Sequence, residues 1–276
     1  QMLDMNGVAV SAGGDAATEV LIGARRDSGP ANGTEGFRFT GNIAEIAMYN
    51  GMVNTAQRII ISNYLAAKYD IVSTGPTPPA FANNFYTMED APGNFDFEMA
   101  GIGQASDGSR HIGARGSGIV RMWNASALNN GDFLLWGHDN GLMAGTVLGV
   151  DGTIIRERLA RTWRVSETAD VGTVSVSFDI SSLDNPLGQN LRLLIDRNGN
   201  GFADNDVTPI SGSFANDIVV FSGINFIAGD RFTLGNTDLA NPLPIQLLSF
   251  QAKANDQTVV VSCSTLTEIN NDSFTV

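Results

Sequence analysis

The sequence is poor in the residue types from which reactive centres are built. It has two histidines, His111 and His138, and one cysteine, Cys263, in 276 residues. A nucleophilic triad needs a nucleophile beside a base and an orienting acid, and a zinc site usually takes three or four His, Cys or carboxylate ligands. No HExxH or GxSxG is present. His111, Asp132, His138 and Asp139 fall where an enzyme could be built, but turn stabilisation is the reading their context supports, and no catalysis is expected. A lone cysteine excludes an internal disulfide framework. Its alternation within VVVSC reads as a buried strand position.

Basic residues are scarce too. The 16 Lys and Arg stand against 29 Asp and Glu, a net charge of −13 with no basic cluster. Binding to nucleic acid or to an anionic membrane surface depends on concentrated Lys and Arg, so neither partner is expected. No run of about 18 apolar residues exists to span a bilayer. Hydrophobic residues at 43% with 16% charged describe a folded chain with a lightly charged surface. The length admits two or three packed cores. The sequence opens at Gln1 without a signal-peptide pattern and ends at SFTV within a strand pattern, so a segment of something larger is expected.

What is abundant is glycine, with short apolar runs between turns. VLIGA at 20–24, FRF at 37–39 and IAEIAMY at 43–49 read as strands separated by turn-rich loops. One helix stands out at about 55–69. Asn54 can cap it, Gln57 can reach back to complete a capping box, and Ile60, Ile61, Tyr64, Leu65 and Lys68 recur at helical spacing. STGPTPPA at 73–80 reads as a linker and a domain boundary. Residues 81–165 read as glycine-broken strands with Trp123, Phe133, Leu135 and Trp136 as core. TVSVSFDIS then sets Val174, Val176, Phe178 and Ile180 against Ser175, Ser177 and Asp179, the period of a strand with one wet face. LRLLID, DIVVFSGINF and RFTLG follow at spacings typical of an antiparallel sandwich.

Chemistry is suggested at one place, LRLLIDRNGNGFADND. Asp196, Asn198, Asn200 and Asp204 fall at positions 1, 3, 5 and 9 of a calcium loop, with Gly201 at position 6 for the sharp turn. Position 12 is Val207 in place of the bidentate Glu, and Asp206 is the nearest substitute. The candidate metal set is therefore Asp196, Asn198, Asn200, Phe202, Asp204 and Asp206, and the candidate cofactor is Ca2+. Strands flank the loop, so it is not a helix-flanked EF-hand; a turn-stiffening, strand-borne calcium loop is the metal reading. A polar hairpin turn rich in Asn and Gly is the metal-free one.

Three stretches carry a family resemblance. GNIAEIAMYNGMVNTAQRIIISNYLAAKYDI, with Gly41, Ile43, Ala44, Glu45, Ile46, Tyr49, Asn50, Tyr64, Leu65, Ala66, Lys68, Tyr69 and Ile71 in place, resembles the closing strand and terminal helix of laminin-G-like, concanavalin-A-like sandwiches in large secreted proteins of Bacteroidetes-type bacteria. AGIG followed by NNGDFLLWGHDNG is similar to a region found after that domain in the same proteins. Pro242, Leu243, Pro244, Ile245, Leu247, Phe250, Ala252, Thr265, Glu268, Asn270, Asn271, Phe274 and Val276 match the opening of a fibronectin-III-like module near the C-terminus of proteins exported by the type IX secretion system, with Cys263 where the pattern usually has Trp.

The resemblance implies an all-β chain of tandem antiparallel β-sandwich modules with one helix. Residues 1–72 would be the end of a lectin-like sandwich, 73–80 a linker, 81–240 a glycine-rich β-sandwich and 241–276 the start of a fibronectin-III-like module. It further implies an extracellular or cell-surface location and a non-catalytic structural or adhesive role. The partners would be neighbouring modules of the same protein, further copies in an oligomer or fibre, and surface glycans. The alternative is a carbohydrate-binding module or the accessory part of a secreted glycan-active enzyme.

Overall fold

The computed structural model describes residues 25–26, 35–36, 40–70, 84–86, 94–183, 187–203, 207–244, 247–255 and 258–265. The chain divides into two units, Gln1–Val53 and Asn54–Val276. In the first, β1 (Arg25–Arg26) pairs antiparallel with β2 (Glu35–Gly36). Residues 40–53 form no helix or strand, and Ile43, Ile46, Met48 and Tyr49 are exposed. This corrects the expected strand at 43–49: a strand needs a ladder partner, and these residues have none among the described ones. The candidates VLIGA and FRF lie outside the described residues.

The second unit opens with α1 (Thr55–Lys68). The Asn54 side chain accepts from the Gln57 N–H at 2.9 Å, and the Gln57 side chain accepts from the Asn54 N–H at 2.9 Å, closing the expected capping box. The buried face is narrower and smaller than the apolar spacing suggests: Ala56, Ile60, Asn63, Ala66 and Ala67. Ile61 and Leu65 are only half-buried. In the middle of that face Asn63, 3% exposed, accepts from the backbone N–H groups of Phe85 and Tyr86 at 2.8 and 3.0 Å and donates to the Ile59 carbonyl at 2.8 Å.

The strands that follow are β3 (Phe97–Gln104), β4 (Arg110–His111), β5 (Gly113–Ala114), β6 (Val120–Trp123), β7 (Phe133–His138), β8 (Gly145–Thr146), β9 (Glu157–Leu159), β10 (Trp163–Thr168), β11 (Thr173–Asp179), β12 (Leu191–Asp196), β13 (Ile210–Ser211), β14 (Ser213–Ala215), β15 (Ile218–Asn225), β16 (Arg231–Asn236), β17 (Leu247–Asn255) and β18 (Thr258–Thr265). One sheet runs β13-β12-β16-β10-β7-β3-β4, with β9 also on β16 and β8 on β9; a second runs β14-β15-β11-β6-β5. The pairings within both are antiparallel, which gives an all-β sandwich with a single α-helix among the described residues.

The core between the sheets is aromatic. The Trp163 ring meets Phe178 edge-on at 5.5 Å and stacks on Phe232 at 5.9 Å, and Phe221 and Phe226 extend the cluster. Each fully buried ring contributes roughly 2–3 kcal/mol of transfer free energy. A second core lies on the other face of the large sheet, where Ala56, Ile60 and Ala67 of α1 join Tyr86, Phe95, Met99, Phe133 and Leu135. Every residue of β7 is therefore buried, with Leu134 and Trp136 facing the second sheet and Phe133 and Leu135 facing the helix. A continuous apolar strand covered on both sides results, as such runs usually are. The helix that the resemblance assigns to residues 1–72 packs here, with the strands that follow it.

Two further expectations change in detail. Val174, Val176, Phe178 and Ile180 point inward, but the outward Ser175 and Ser177 are covered as well, because β11 is central and faces Trp123 and Arg121 across the β6 register. Trp123 is not core: it lies half-buried on that outer face beneath the Arg121 guanidinium at 4.9 Å. Finally, among the described residues β17 and β18 pair only with each other. Phe250, Ala252, Ala254, Val259 and Val261 share one face by register, and all five are exposed. The expected burial of Cys263 lies outside the described side chains. No helix of the described residues is long and apolar enough to cross a membrane.

Candidate functional site

Polar groups gather at one end of the large sheet, where β7 and β12 end and β10 and β16 begin; His138 lies there on the inner face opposite Trp163, and Asp196 on the outer face opposite Arg231. β3 carries an extra residue between Phe97 and Ala100 against β7, a bulge that puts Glu98 in the left-handed region at φ 51°. Its carboxylate is thereby aimed at His138, which is 2% exposed. His138 Nδ1 accepts from the Asn140 N–H at 2.9 Å, so the proton sits on Nε2, which donates to Glu98 Oε2 at 2.9 Å. Phe97 stacks on the imidazole at 5.9 Å. Burial, and then the charge of Arg161, lowers the His138 pKa from its usual 6.5, so the ring is neutral at neutral pH. Next to it, Asp139 Oδ1 accepts from the N–H groups of Gly141 and Thr162 at 2.8 and 3.1 Å.

The sequence motif WGHDNG acquires a reason for each residue. A Cβ at Gly137 would collide with the Phe95 carbonyl and the Tyr86 hydroxyl. Trp136 fills the sandwich core, His138 and Asp139 hold the turn, and Asn140 adopts φ 55°. Asp132 Oδ2 likewise accepts from the Asn129 N–H at 2.7 Å. His111 lies in β4 with its pKa lowered by burial, on the far edge of the sheet order from β12. The four residues singled out for a possible enzyme are thus not one cluster.

Of the expected calcium set, Asp196, Asn198, Asn200 and Phe202 are described, and Asp204 and Asp206 lie outside the described residues. Asp196 ends β12 and is 1% exposed. Its Oδ1 accepts from the N–H groups of Asn198 and Gly199 at 3.2 and 2.7 Å, and its Oδ2 from Gly201 at 3.1 Å. Asn198 Oδ1 accepts from the Asn200 N–H at 3.1 Å. Gly201, at φ 119°, makes the turn that brings its N–H back to Asp196. Phe202 is buried beside Ile155 and Leu194, with the Arg158 guanidinium 5.0 Å from its ring. The loop is held in a tight curl, and β13 then returns along β12. Among the described residues no group of three or more His, Cys, Asp or Glu converges as a metal site.

Arginines complete this face, and sequence reasoning missed them. A shallow cleft of about 210 Å³ is lined by Phe95, Asp139, Arg158, Thr162, Asp196, Phe202 and Arg231, with Gly149 and Gly201. Arg231 on β16 stands between Asp196 on β12 and Arg164 on β10 in the cross-strand register. Alternation along β10 and β16 does signal that these arginines leave the core, but only the register of strands far apart in sequence makes them neighbours.

The fold and this face define an antiparallel sandwich with a polar, arginine-rich outer surface on its larger sheet. Residues 116–230 match a family described as a domain of unknown function, DUF8202. That stretch contains His138, Asp139, Arg158, Arg164 and the Asp196 loop, and it stops one residue short of Arg231. No curated protein and no solved structure matches the chain.

Proposed function

We propose that the chain is a non-catalytic structural or adhesive segment of a large secreted cell-surface protein, a part of a stalk, adhesin or fibre. The observation that carries this reading is how the polar groups are spent. Asp132, His138, Asp139 and Asp196 each accept backbone N–H groups of a turn, so they serve to hold loops. The exposed apolar face of β17–β18 supports it as well, since a lone two-stranded ribbon is marginal in water and gains stability when a neighbouring module or another copy covers it. Within this reading the Asp196 loop is a calcium clip that stiffens the β12–β13 connection. Light scattering and negative-stain micrographs of the full chain test the assembly. Multimers or filaments are expected; a strictly monomeric chain at high concentration removes self-association from the proposal.

A second reading, a carbohydrate-binding module or the accessory part of a glycan-active enzyme, is favoured by the cleft around Arg231. Its lining combines guanidinium, carboxylate and aromatic groups.

A further inference from the structure

An Asn–Gly step can close on itself: the glycine nitrogen attacks the Asn Cγ, ammonia leaves, and water opens the succinimide that results. The reaction is helped by a base for the glycine N–H and by a donor for the carboxamide oxygen as it gains charge. At Asn198–Gly199, in the loop after β12, both are in place. Asp196 Oδ1 holds the Gly199 N–H at 2.7 Å, within the reach of a general base. Asn198 Oδ1, the oxygen on which charge develops, accepts from the Asn200 N–H at 3.1 Å. Asp196 is 1% exposed, so water competes little for its carboxylate, whereas Asn198 is exposed and open to hydrolysis. Gly199 stands at φ 77°, a backbone that favours glycine, and presents no Cβ to hinder the attack.

Other Asn–Gly steps lack one group or both. The Asn130 carboxamide is tied at both ends, its Oδ1 accepting from Gln104 Nε2 at 2.6 Å and its Nδ2 donating to the Ser106 carbonyl at 3.1 Å. The Gly131 N–H donates to the Gln104 carbonyl at 2.8 Å, which is no base. Asn140 and Asn200 do have a carboxylate on the following glycine, Asp139 at 2.8 Å and Asp196 at 3.1 Å. Among the described residues, however, no N–H reaches the carboxamide oxygen of either. Sequence alone therefore makes these steps equivalent, and the fold singles out Asn198.

We propose that Asn198 is a self-modification site, converted to aspartate or isoaspartate with Asp196 as the general base. Asp196 takes the Gly199 proton as the bond from Gly199 N to Asn198 Cγ forms, and returns it to Nδ2 as the Cγ–Nδ2 bond breaks. Ammonia departs. Water then adds to one or the other succinimide carbonyl and opens the ring. The product sets a carboxylate at the third position of the candidate calcium loop, but the reaction needs no cation and is independent of both readings of the function.

Peptide mapping by mass spectrometry tests it, on the full chain incubated folded and in guanidinium chloride over a series of pH values. Asn198 is expected to deamidate at least about tenfold faster folded than unfolded, since a positioned base contributes about 10²–10⁴-fold. Asn130 is expected to be slower folded than unfolded. In the unfolded chain the rate follows hydroxide, about tenfold per pH unit, whereas at Asn198 of the folded chain it is expected to change by less than about threefold per unit. Asp196→Asn is expected to lower the folded rate at Asn198 by about tenfold or more, and a rise at Asn130 identifies a variant that has unfolded. The parent chain decides the matter without any variant. A rate at Asn198 no faster folded than unfolded, or one that climbs about tenfold per pH unit in both states, overturns the proposal.

Discussion

The Glu98 carboxylate accepts the Nε2–H of His138 at 2.9 Å from a backbone held at φ 51°. Strain at one residue is thus exchanged for the partner of a buried imidazole. Glu98→Ala removes the acceptor and keeps the left-handed backbone, so it is expected to cost about 2–3 kcal/mol in urea unfolding. Glu98→Gly also loses the acceptor but relaxes the backbone, and is expected to recover about 1 kcal/mol of that loss. Glu98→Gln keeps an oxygen for Nε2–H and is expected to be the mildest of the three. Equal costs for Ala and Gly would show that the backbone at this bulge carries no strain.

Asn63 offers a sharper case, because two backbone donors depend on one side-chain oxygen. Asn63→Ala leaves the N–H groups of Phe85 and Tyr86 without their acceptor on a face packed by α1. The expected loss is about 2–3 kcal/mol. Hydrogen exchange gives a local readout: the Phe85 and Tyr86 amides should lose protection in the variant, while those of β11 at the centre of the second sheet should change only as global stability does.

How far such features can be read from sequence depends on the distance over which they are encoded. The α1 capping box is written in four consecutive positions, Asn54 to Gln57, and the strand LRLLID carries its own alternation; both are found as expected. The two-sided burial of FLLWGH is legible as a continuous apolar run, but not that Phe133 and Leu135 meet a helix some 70 residues earlier in the chain. IAEIAMY has the composition of a strand but joins no ladder among the described residues, and composition alone cannot supply one. Asp196 was visible as a polar loop residue. Its neighbour Arg231 was not, since their pairing follows from the register of β12 on β16.

Glu157 predicts how stability changes as pH rises above the ordinary carboxylate range. It is fully buried; Oε1 accepts from Asn236 Nδ2 at 2.9 Å and from the Leu243 N–H at 2.6 Å, while Oε2 has no partner. Burial raises its pKa above the usual 4.5, against the lowering effect of those two donors. A carboxyl group with a folded-state pKa above its unfolded value stabilises the protonated native state. That contribution is fully present below about 4.5 and is lost as pH rises through the raised folded pKa. Glu157→Gln keeps the acceptor oxygen and cannot ionise. Its melting temperature is expected to lack the parent's decline as pH rises from about 4.5 through the raised folded pKa, and to equal or exceed the parent's above it. A parent and variant with parallel pH profiles would assign the slope to another group.

Calcium at the Asp196 loop calls for a comparison that separates the ion from the turn. The carboxylate already takes three backbone N–H groups, so Asp196→Ala is expected to destabilise by about 2–4 kcal/mol with or without calcium. The decisive quantity is therefore the effect of chelation and not that of the substitution. In the parent, calcium at about one hundred times its dissociation constant should add roughly 2.7 kcal/mol over the EDTA-treated protein. Asn200→Ala removes a candidate ligand whose side chain is exposed. It should leave the EDTA baseline within about 0.5 kcal/mol of the parent while reducing the calcium increment. If the parent melts identically in calcium and in EDTA, the loop is a turn held by Asp196 alone, and its stiffness comes from those three hydrogen bonds.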